Sequence, residues 1–471
     1  MSQTITLNRW TSRWTYRHAI LALSEAAVLA TIFVLAWQQS WPVNLPGFDE
    51  AGLPFGHYLP AVRLVELFAI AAIGTYTLAG WPGRHRLRQG PRLLFTLALA
   101  ALFALAALSP LWAAHRGLAA VHAGHMLVWV LFALMMASGD WSIPRLVGAF
   151  LGGLLVHAAV GYLQMGLQHF VGLGPRFGEL PVRPQDNWAS VVFAGPVRLL
   201  RAYGLSSHPN VLGGHASIGV ILSFGLLRVW PRVWRALIAI AWAMVWALLL
   251  ITFSRSAWAA LAAGGLSAAA LLWRGRHLDR RAVIAALTLA TIGAVVAAVF
   301  VRWFGPFLIG RVNASTQPFE QFSMDERRGM IDVAVRLIVA HPLTGVGAAN
   351  FSTASQTLLG YPLDWVHNVP LLITSELGLP GALAFATIVG SMAWIGRRRW
   401  RSRSLTMWQT LTGGGLVALL TIMLFDHYLW TAPQGTLLWA LLAGLWMAGD
   451  VEPRGFADRV SLAGRCTLFA G

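Results

Sequence analysis

Apolar runs long enough to cross a membrane recur along the whole chain and decide its class. A span needs about 20 apolar residues, and only 11% of this chain is charged, whereas soluble domains carry about 25% charged residues. We therefore expect an all-α polytopic membrane protein of about twelve transmembrane helices, with residues 1–471 forming a single integral membrane domain. The predicted spans are 18–37, 58–80, 93–110, 118–138, 145–170, 208–228, 235–252, 256–273, 282–304, 369–395, 406–427 and 434–449.

The distribution of arginine predicts the orientation of these spans. Of the 35 basic residues, 23 fall in the terminal segments and in the loops that share a side with them, and an excess of arginine marks the cytoplasmic side. Both termini, including the tail 450–471, are therefore predicted to be cytoplasmic. The net charge of +17 then reflects topology and anionic phospholipid headgroups, and does not indicate a nucleic-acid partner. Two long loops, 171–207 and 305–368, fall on the outer side.

Several arginines on the outer side are not explained by topology. Arg255 lies in a three-residue turn between two predicted spans, and an arginine at membrane depth needs a partner or a function, unless it snorkels to the interface. Arg201 opens the turn RAYGLSSHPN. That turn is either a plain junction or an anion site, because the N–H groups at the start of the next helix favour negative charge.

Arg327 and Arg328 lie in the longer outer loop. Ser323 and Glu326 fit a capping box, which predicts a helix that starts there and stops before Pro342. Two cations in a first turn oppose the helix dipole, which favours an anionic ligand, whereas the alternative is a solvated face of ion pairs. Because arginine forks match phosphate oxygens, the outer arginines would suit a lipid-linked pyrophosphate.

His367 and Asn368 stand directly before an apolar span. An imidazole can act as a general base near neutral pH, and Asn368 could cap the following helix. Glu376 further along that helix, or Asp364, could orient His367 or pair with an arginine. The sequence shows no His/Cys/Asp cluster at metal spacing, no phosphate-binding loop and no dinucleotide fingerprint, so we expect no metal, no cofactor and no nucleotide.

Four motifs on the outer side resemble those of a known family. The pattern His-Asn, nine residues, Gly, two residues, Gly is met by 367–381, and HPLTGVGAANF precedes it. The turn from Arg201 to Asn210 and the Ser-Arg-Ser around Arg255 also fit. Over residues 195–395 the chain resembles the O-antigen ligase and polymerase superfamily, and most of all O-antigen ligase.

The resemblance implies a fold and an activity. The fold would be similar to membrane-class glycosyltransferases, with short helices in a long periplasmic loop. Such enzymes transfer O-antigen from undecaprenyl pyrophosphate to lipid A-core at the periplasmic face of the bacterial inner membrane, inverting and without a metal. The family's histidine falls on His367 as the general base. Its pyrophosphate-binding arginines fall on Arg255 and on Arg327 or Arg328; Arg201 joins them as a candidate ligand, and Asn210, Asn368 and Glu376 as supporting residues.

Two other functions remain open from the sequence. An O-antigen polymerase or a protein O-oligosaccharyltransferase would share the same donor and differ in the acceptor. A transporter or flippase would share the span count, but transporters often show repeated halves with polar groups at the bilayer midplane. This chain shows no matching halves, and its polar residues lie at outer helix ends.

Overall fold

A computed structural model describes residues 3–45, 48, 60–312 and 318–448. It contains 74% helix and 3% strand, which confirms the all-α class. The cytoplasmic tail predicted at 450–471 lies outside the described residues, so its placement stays a prediction. The helices are α1 (Gln3–Phe33), α2 (Leu64–Leu78), α3 (Gly90–Leu108), α4 (Arg116–Ser138), α5 (Ile143–Leu167), α6 (Pro209–Val229), α7 (Arg232–Ile251), α8 (Arg255–Arg274), α9 (Arg280–Val312), α10 (Pro318–Ala340), α11 (Phe351–Leu359), α12 (Val369–Ser402), α13 (Met407–Met423), α14 (Tyr428–Thr431) and α15 (Pro433–Met447).

Each of the twelve predicted spans has a helix, but not all of these helices have the length of a full span. Within the described ranges, nine helices are long and apolar enough to cross a membrane. The other three predicted spans correspond to α2, α13 and α15, which have 15, 17 and 15 residues. At about 1.5 Å per residue, these three are shorter than the roughly 30 Å hydrocarbon layer. The chain is thus a multi-pass helical membrane protein in which three apolar runs form shorter helices.

The core is built around α6, α13 and α15. Nearly all of α6 is buried, and every residue of α15 is buried. Small residues bring α8 and α13 together, because a Cβ on Gly264 would lie 2.6 Å from the Gly414 carbonyl oxygen. Close approach of backbones is the usual basis of helix association in membranes. Other helices surround this centre, and most apolar side chains at their outer faces remain exposed.

The segments between the predicted spans carry structure that the sequence did not predict. An antiparallel hairpin pairs β3 (Val191–Ala194) with β4 (Val197–Leu200) within the 171–207 loop. A second antiparallel pair joins β1 (Ser40–Pro42) to β2 (Ala61–Arg63), and it directly precedes α2. The 305–368 loop also begins later than predicted, because α9 continues through Pro306 into the apolar residues that follow and ends at Val312.

The helix predicted from Ser323 is also longer than expected. It begins at Pro318 and ends at Ala340, so its predicted stop before Pro342 is confirmed and its predicted capping box is wrong. Arg327 and Arg328 therefore lie in the body of α10, and the argument from the helix dipole does not apply to them. Their role must be judged from what their side chains contact.

A break in α12 couples it to the segment 342–347. Gly378 has φ 68° and ψ −172°, values outside the helical region, and Pro380 follows it. The backbone groups released by this break are satisfied by the segment: Val346 N–H donates to the Ser375 carbonyl at 2.9 Å, and Leu379 N–H to the Pro342 carbonyl at 2.7 Å. A Cβ on Gly378 would lie 2.6 Å from the Leu343 carbonyl oxygen. Glycine at this position thus permits both the left-handed conformation and the close approach.

Candidate functional site

A polar cavity of about 650 Å³ lies where several helix ends and both long loops meet. Its wall combines the start of α6, the segment before α12, the turn between α13 and α14, and the β1–β2 and β3–β4 hairpins. Residues that are far apart in sequence, from Gln38 to Gln434, line it together. We call this space the first cavity.

His367 lies in the wall of the first cavity, with its side chain 22% exposed. Its Nδ1 is 3.6 Å from Oδ1 of Asp426, which is close enough for an ion pair and slightly beyond hydrogen-bond length. The ring of His427 packs edge-on against the His367 ring, with centroids 4.9 Å apart. Asp426, which the sequence reasoning missed as a partner of His367, is thus the carboxylate that faces the histidine.

Asp426 is a buried carboxylate with several hydrogen-bond donors around it. Its Oδ2 accepts from Asn210 Nδ2 at 2.8 Å, and its Oδ1 accepts from the backbone N–H of His427 at 2.9 Å. Burial acts to raise its pKa, but the neighbouring His367, followed by His427, outweighs burial and holds the pKa below its ordinary range. Asp426 is therefore ionised at neutral pH, and its charge is fixed beside His367.

Arg201 and Asn210 form the support beneath this pair. Arg201 is buried, and its Nη2 donates to Asn210 Oδ1 at 2.6 Å while its Nε donates to the Thr252 carbonyl at 2.6 Å. Asn210 in turn donates a hydrogen bond from Nδ2 to Asp426, so the three side chains form a continuous hydrogen-bonded chain. The predicted turn from Arg201 to Asn210 is thus placed in the site, and it ties the start of α6 to the end of α7.

His208 is part of the same wall and is held neutral mainly by burial. Its Nδ1 accepts from the Asn210 backbone N–H at 3.1 Å, and its Nε2 pairs with Ser190 Oγ at 2.7 Å. Burial and then the charge of Arg201 lower its pKa to about 3, with Asp426 opposing them. A proton on Nδ1 would turn this acceptor into a donor, and two N–H groups, one on His208 and one on the Asn210 backbone, would then point at each other.

This arrangement predicts a loss of stability in acid. Because the folded pKa of His208 lies below its unfolded value, the unfolded chain binds more protons between about pH 3 and 6.5, and stability falls as pH drops through that window. At pH 5 the cost is about 2 kcal/mol. We expect the thermal midpoint of the detergent-solubilised protein to fall less between pH 7 and 5 in His208→Asn than in wild type. The exposed His85→Asn serves as control, and equal slopes for all three proteins would contradict the prediction.

A second cavity of about 410 Å³ adjoins the first. The two share Asn210, Arg311 and Arg327 among their lining residues. Among the described residues that line the second cavity none is acidic, although four are arginines. Apolar side chains complete its wall. The arginines are Arg255, Arg311, Arg327 and Arg328, and the apolar residues are Ala259, Met324, Ile331 and Phe425.

Arg311 is a second residue that the sequence reasoning missed. Its Nε donates to the Phe253 carbonyl at 3.3 Å, and its own carbonyl accepts from Arg255 Nη1 at 3.2 Å. The end of α9 is thereby fastened to the turn between α7 and α8. The sequence gave little indication of this role, because Arg311 follows Pro306 in a segment that was predicted to be a loop.

The structure separates Arg327 from Arg328. Arg327 is partly buried and lines both cavities, and within the described part of the chain it makes no ion pair. Arg328 lines the second cavity alone, its side chain is 73% exposed, and its Nη1 lies 3.2 Å from Asp325 Oδ1. Arg327 is therefore the better placed of the two for a ligand shared between the cavities.

Asn368 and Glu376, two of the predicted supporting residues, have structural roles within α12. Asn368 caps α12, since its Oδ1 accepts from the Leu371 N–H at 3.0 Å. Glu376 is buried inside α12, where its Oε2 accepts from Trp430 Nε1 at 2.9 Å. Within the described residues Glu376 forms no hydrogen bond or ion pair with His367 or with an arginine, so neither role considered for it from the sequence is observed.

His367, Asp426 and His427 also form a set that could hold a metal ion. One donor atom from each lies within 4.8 Å of the others. The sequence spacing did not indicate this set, because the histidine before α12 is remote in the chain from the other two. The charge around this set is mixed, because Arg201 is joined to Asp426 through Asn210 and the same cavity is lined by Arg327 and by the carboxylates of Glu326 and Asp364.

The fold and this site define a multi-pass membrane protein with a polar, arginine-rich site at one end of its helices. Residues 239–386 match the family model described as O-antigen ligase. The match confirms the resemblance to the O-antigen ligase and polymerase superfamily, which indicates a glycosyltransferase-like enzyme. It covers Arg255, Arg311, Arg327 and His367, whereas Asp426 lies beyond it. No curated protein matches the chain significantly.

Proposed function

We propose that this protein is an O-antigen ligase that transfers glycan from undecaprenyl pyrophosphate to a sugar hydroxyl of lipid A-core. The observation that carries this proposal is the pair of joined cavities. The second offers arginines beside exposed apolar side chains, which suits a pyrophosphate attached to a lipid. The first cavity shares Asn210, Arg311 and Arg327 with the second and offers a histidine–carboxylate pair. The site would lie at the periplasmic face of the inner membrane, with both termini in the cytoplasm.

The proposed chemistry is a single inverting displacement. His367 Nδ1 faces Asp426, so Nε2 takes the proton from the acceptor hydroxyl as its oxygen bonds to the anomeric carbon of the donor sugar. The bond from that carbon to the phosphate oxygen breaks, and undecaprenyl pyrophosphate leaves with the electron pair. Asp426 stabilises the imidazolium that forms, and the arginines at the junction stabilise the charge that develops on the leaving group.

Reconstitution tests this function directly. Purified protein in detergent receives undecaprenyl-pyrophosphate-linked O-antigen and lipid A-core, with EDTA present and no nucleotide. We expect a ladder above the lipid A-core band on a gel. Longer polymer on the donor lipid would instead indicate a polymerase, transfer to a protein would indicate an oligosaccharyltransferase, and translocation without a new covalent bond would indicate a flippase. Activity that EDTA abolishes and Zn²⁺ restores would overturn the metal-free mechanism.

The arginines of α10 provide a graded test of donor binding. Arg327→Gln removes a charge-assisted hydrogen bond worth about 1.5–3 kcal/mol, so we expect kcat/KM for the donor to fall about 10–100-fold. Arg328→Gln should have a smaller effect, because that guanidinium is exposed and paired with Asp325. Arg336→Gln is the matched control, since Arg336 lies on the exposed face with Nη2 2.8 Å from Asp332 Oδ2. An order of effects with Arg328 above Arg327 would contradict the assignment.

A further inference from the structure

Part of the wall of the first cavity differs in chemistry from the residues that this cavity shares with the second. This part is formed by amide, hydroxyl and indole groups, and no residue of this set lines the second cavity. We call this set the amide–aromatic wall. It comprises Gln38, Ser40, Asn187, Trp188 and Gln434.

Trp188 is held in place by its backbone while its side chain remains open to the cavity. The turn that carries it is closed by a hydrogen bond from the Ala189 N–H to the Asp186 carbonyl at 3.0 Å. Ser190, two residues further on, is fixed to His208. Nevertheless the Trp188 side chain is 57% exposed. An indole that lines a polar cavity on an ordered turn offers a flat face on which a ring can stack.

The amides of this wall are also fixed. Gln38 Nε2 donates to the Gly178 carbonyl at 3.0 Å, and Gln434 Nε2 donates to the Trp37 carbonyl at 3.2 Å. Asn187 stands exposed beside Trp188. An amide presents both donors and an acceptor, so it can satisfy hydroxyl groups whichever way they point. Preorganised polar groups around an apolar face are what a small-molecule site requires.

The charge beside this wall is balanced, in contrast to the arginines that line the second cavity. Arg63, which pairs with Ser40 across the β1–β2 hairpin, also lines the first cavity, and its Nη1 lies 3.9 Å from Glu66 Oε2 and 3.4 Å from His125 Nε2. His125 in turn contacts Glu66 through Nδ1 at 2.5 Å. Because Glu66 offsets the guanidinium, this wall favours a neutral polyhydroxyl ligand over a second pyrophosphate.

The direction of the reaction selects which sugar this wall would bind. In an inverting displacement the attacking oxygen approaches the anomeric carbon opposite the leaving group, so the acceptor and the pyrophosphate occupy different parts of the site. The wall lines the cavity that holds His367, the proposed base, and none of its residues lines the arginine-rich second cavity. We propose that the amide–aromatic wall is the acceptor subsite, in which a pyranose ring stacks on Trp188 and its hydroxyls bind Asn187 and Gln38. This proposal rests on the proposed glycosyl transfer.

Separate titrations of the two substrates test the proposal. In the reconstituted reaction, Trp188→Ala should raise KM for lipid A-core about tenfold and leave KM for the lipid-linked donor unchanged. Trp188→Phe should restore much of the loss, since it keeps an aromatic face, and Asn187→Ala should raise the same KM. Trp41→Ala is the matched control, because Trp41 is an exposed tryptophan of β1 that lines neither cavity.

The remaining outcomes each decide the question. An increase in KM for the donor instead would assign the wall to the donor glycan and overturn the acceptor subsite. Unchanged KM values for both substrates, with or without a lower melting temperature, would leave Trp188 as an interfacial aromatic and also overturn it. Failure of the proposed function is distinguishable from failure of the acceptor subsite, because in that case the wild-type protein itself would show no transfer.

Discussion

Replacing His367 with alanine is expected to lower kcat by about 10²–10⁴-fold, the usual effect of removing a general base. The side chain lines the first cavity, and its Nδ1 is turned towards Asp426. KM for both lipids should change little, because the proton is transferred in the chemical step and substrate binding depends on other groups. Initial rates at saturating donor and acceptor, measured from the lipid A-core ladder, provide the test.

His341→Ala is the control for this experiment. His341 is an exposed histidine that follows α10 and lines neither cavity, so its loss should leave turnover near wild type. Melting curves of both variants separate a catalytic loss from unfolding. Near-full turnover of a folded His367→Ala protein would rule out the role of His367 as the base.

Replacing Asp426 with asparagine should produce the other large effect, a fall in kcat of about 10²–10⁴-fold. The carboxylate is buried, accepts from Asn210 Nδ2 and faces His367 at 3.6 Å. Asparagine has nearly the same size but carries no charge, so it cannot stabilise the imidazolium, and its own NH₂ group would face either Asn210 or His367. In serine proteases the corresponding aspartate-to-asparagine change costs about 10⁴-fold with the geometry intact.

A double substitution shows whether Asp426 acts through His367. If it does, His367→Ala with Asp426→Asn should be no slower than His367→Ala alone, because residues that act as a unit are not additive. Additive losses would mean that Asp426 has an independent role and would contradict the positioning assignment. Asp332→Asn, an exposed aspartate of α10, is the control for loss of a carboxylate.

The fold class follows from the sequence because apolar periodicity and span length act locally. Each predicted span has a helix, and the stop of α10 before Pro342 follows from proline geometry. Boundaries were less predictable where tertiary contacts decide them. The break at Gly378 is stable because the segment 342–347 satisfies the released backbone groups, and nothing local to α12 shows that partner.

The candidate site was predictable in part for the same reason. Unusual arginines and a histidine at predicted helix ends are visible in the sequence, and the structure brings Arg201, Arg255, Arg327 and His367 to the two cavities. Asp426 was not recognised because it closes an apolar run and was included in a predicted span. An acid within such a run is itself a signal of function, but its partner cannot be inferred without knowing which helix ends meet.

The dispersal of the site along the chain has a consequence for biosynthesis. Chains are made from the N-terminus, so Arg201 is synthesised before His367, and Asp426 follows only with the last helices. Until Asp426 is synthesised, Asn210 lacks the carboxylate to which it donates. His367 likewise lacks the carboxylate that faces it in the folded protein. A ribosome-bound chain that has not reached Asp426 therefore contains most of the membrane helices but an incomplete site. Under the proposed mechanism, transfer could therefore begin only after Asp426 has been synthesised.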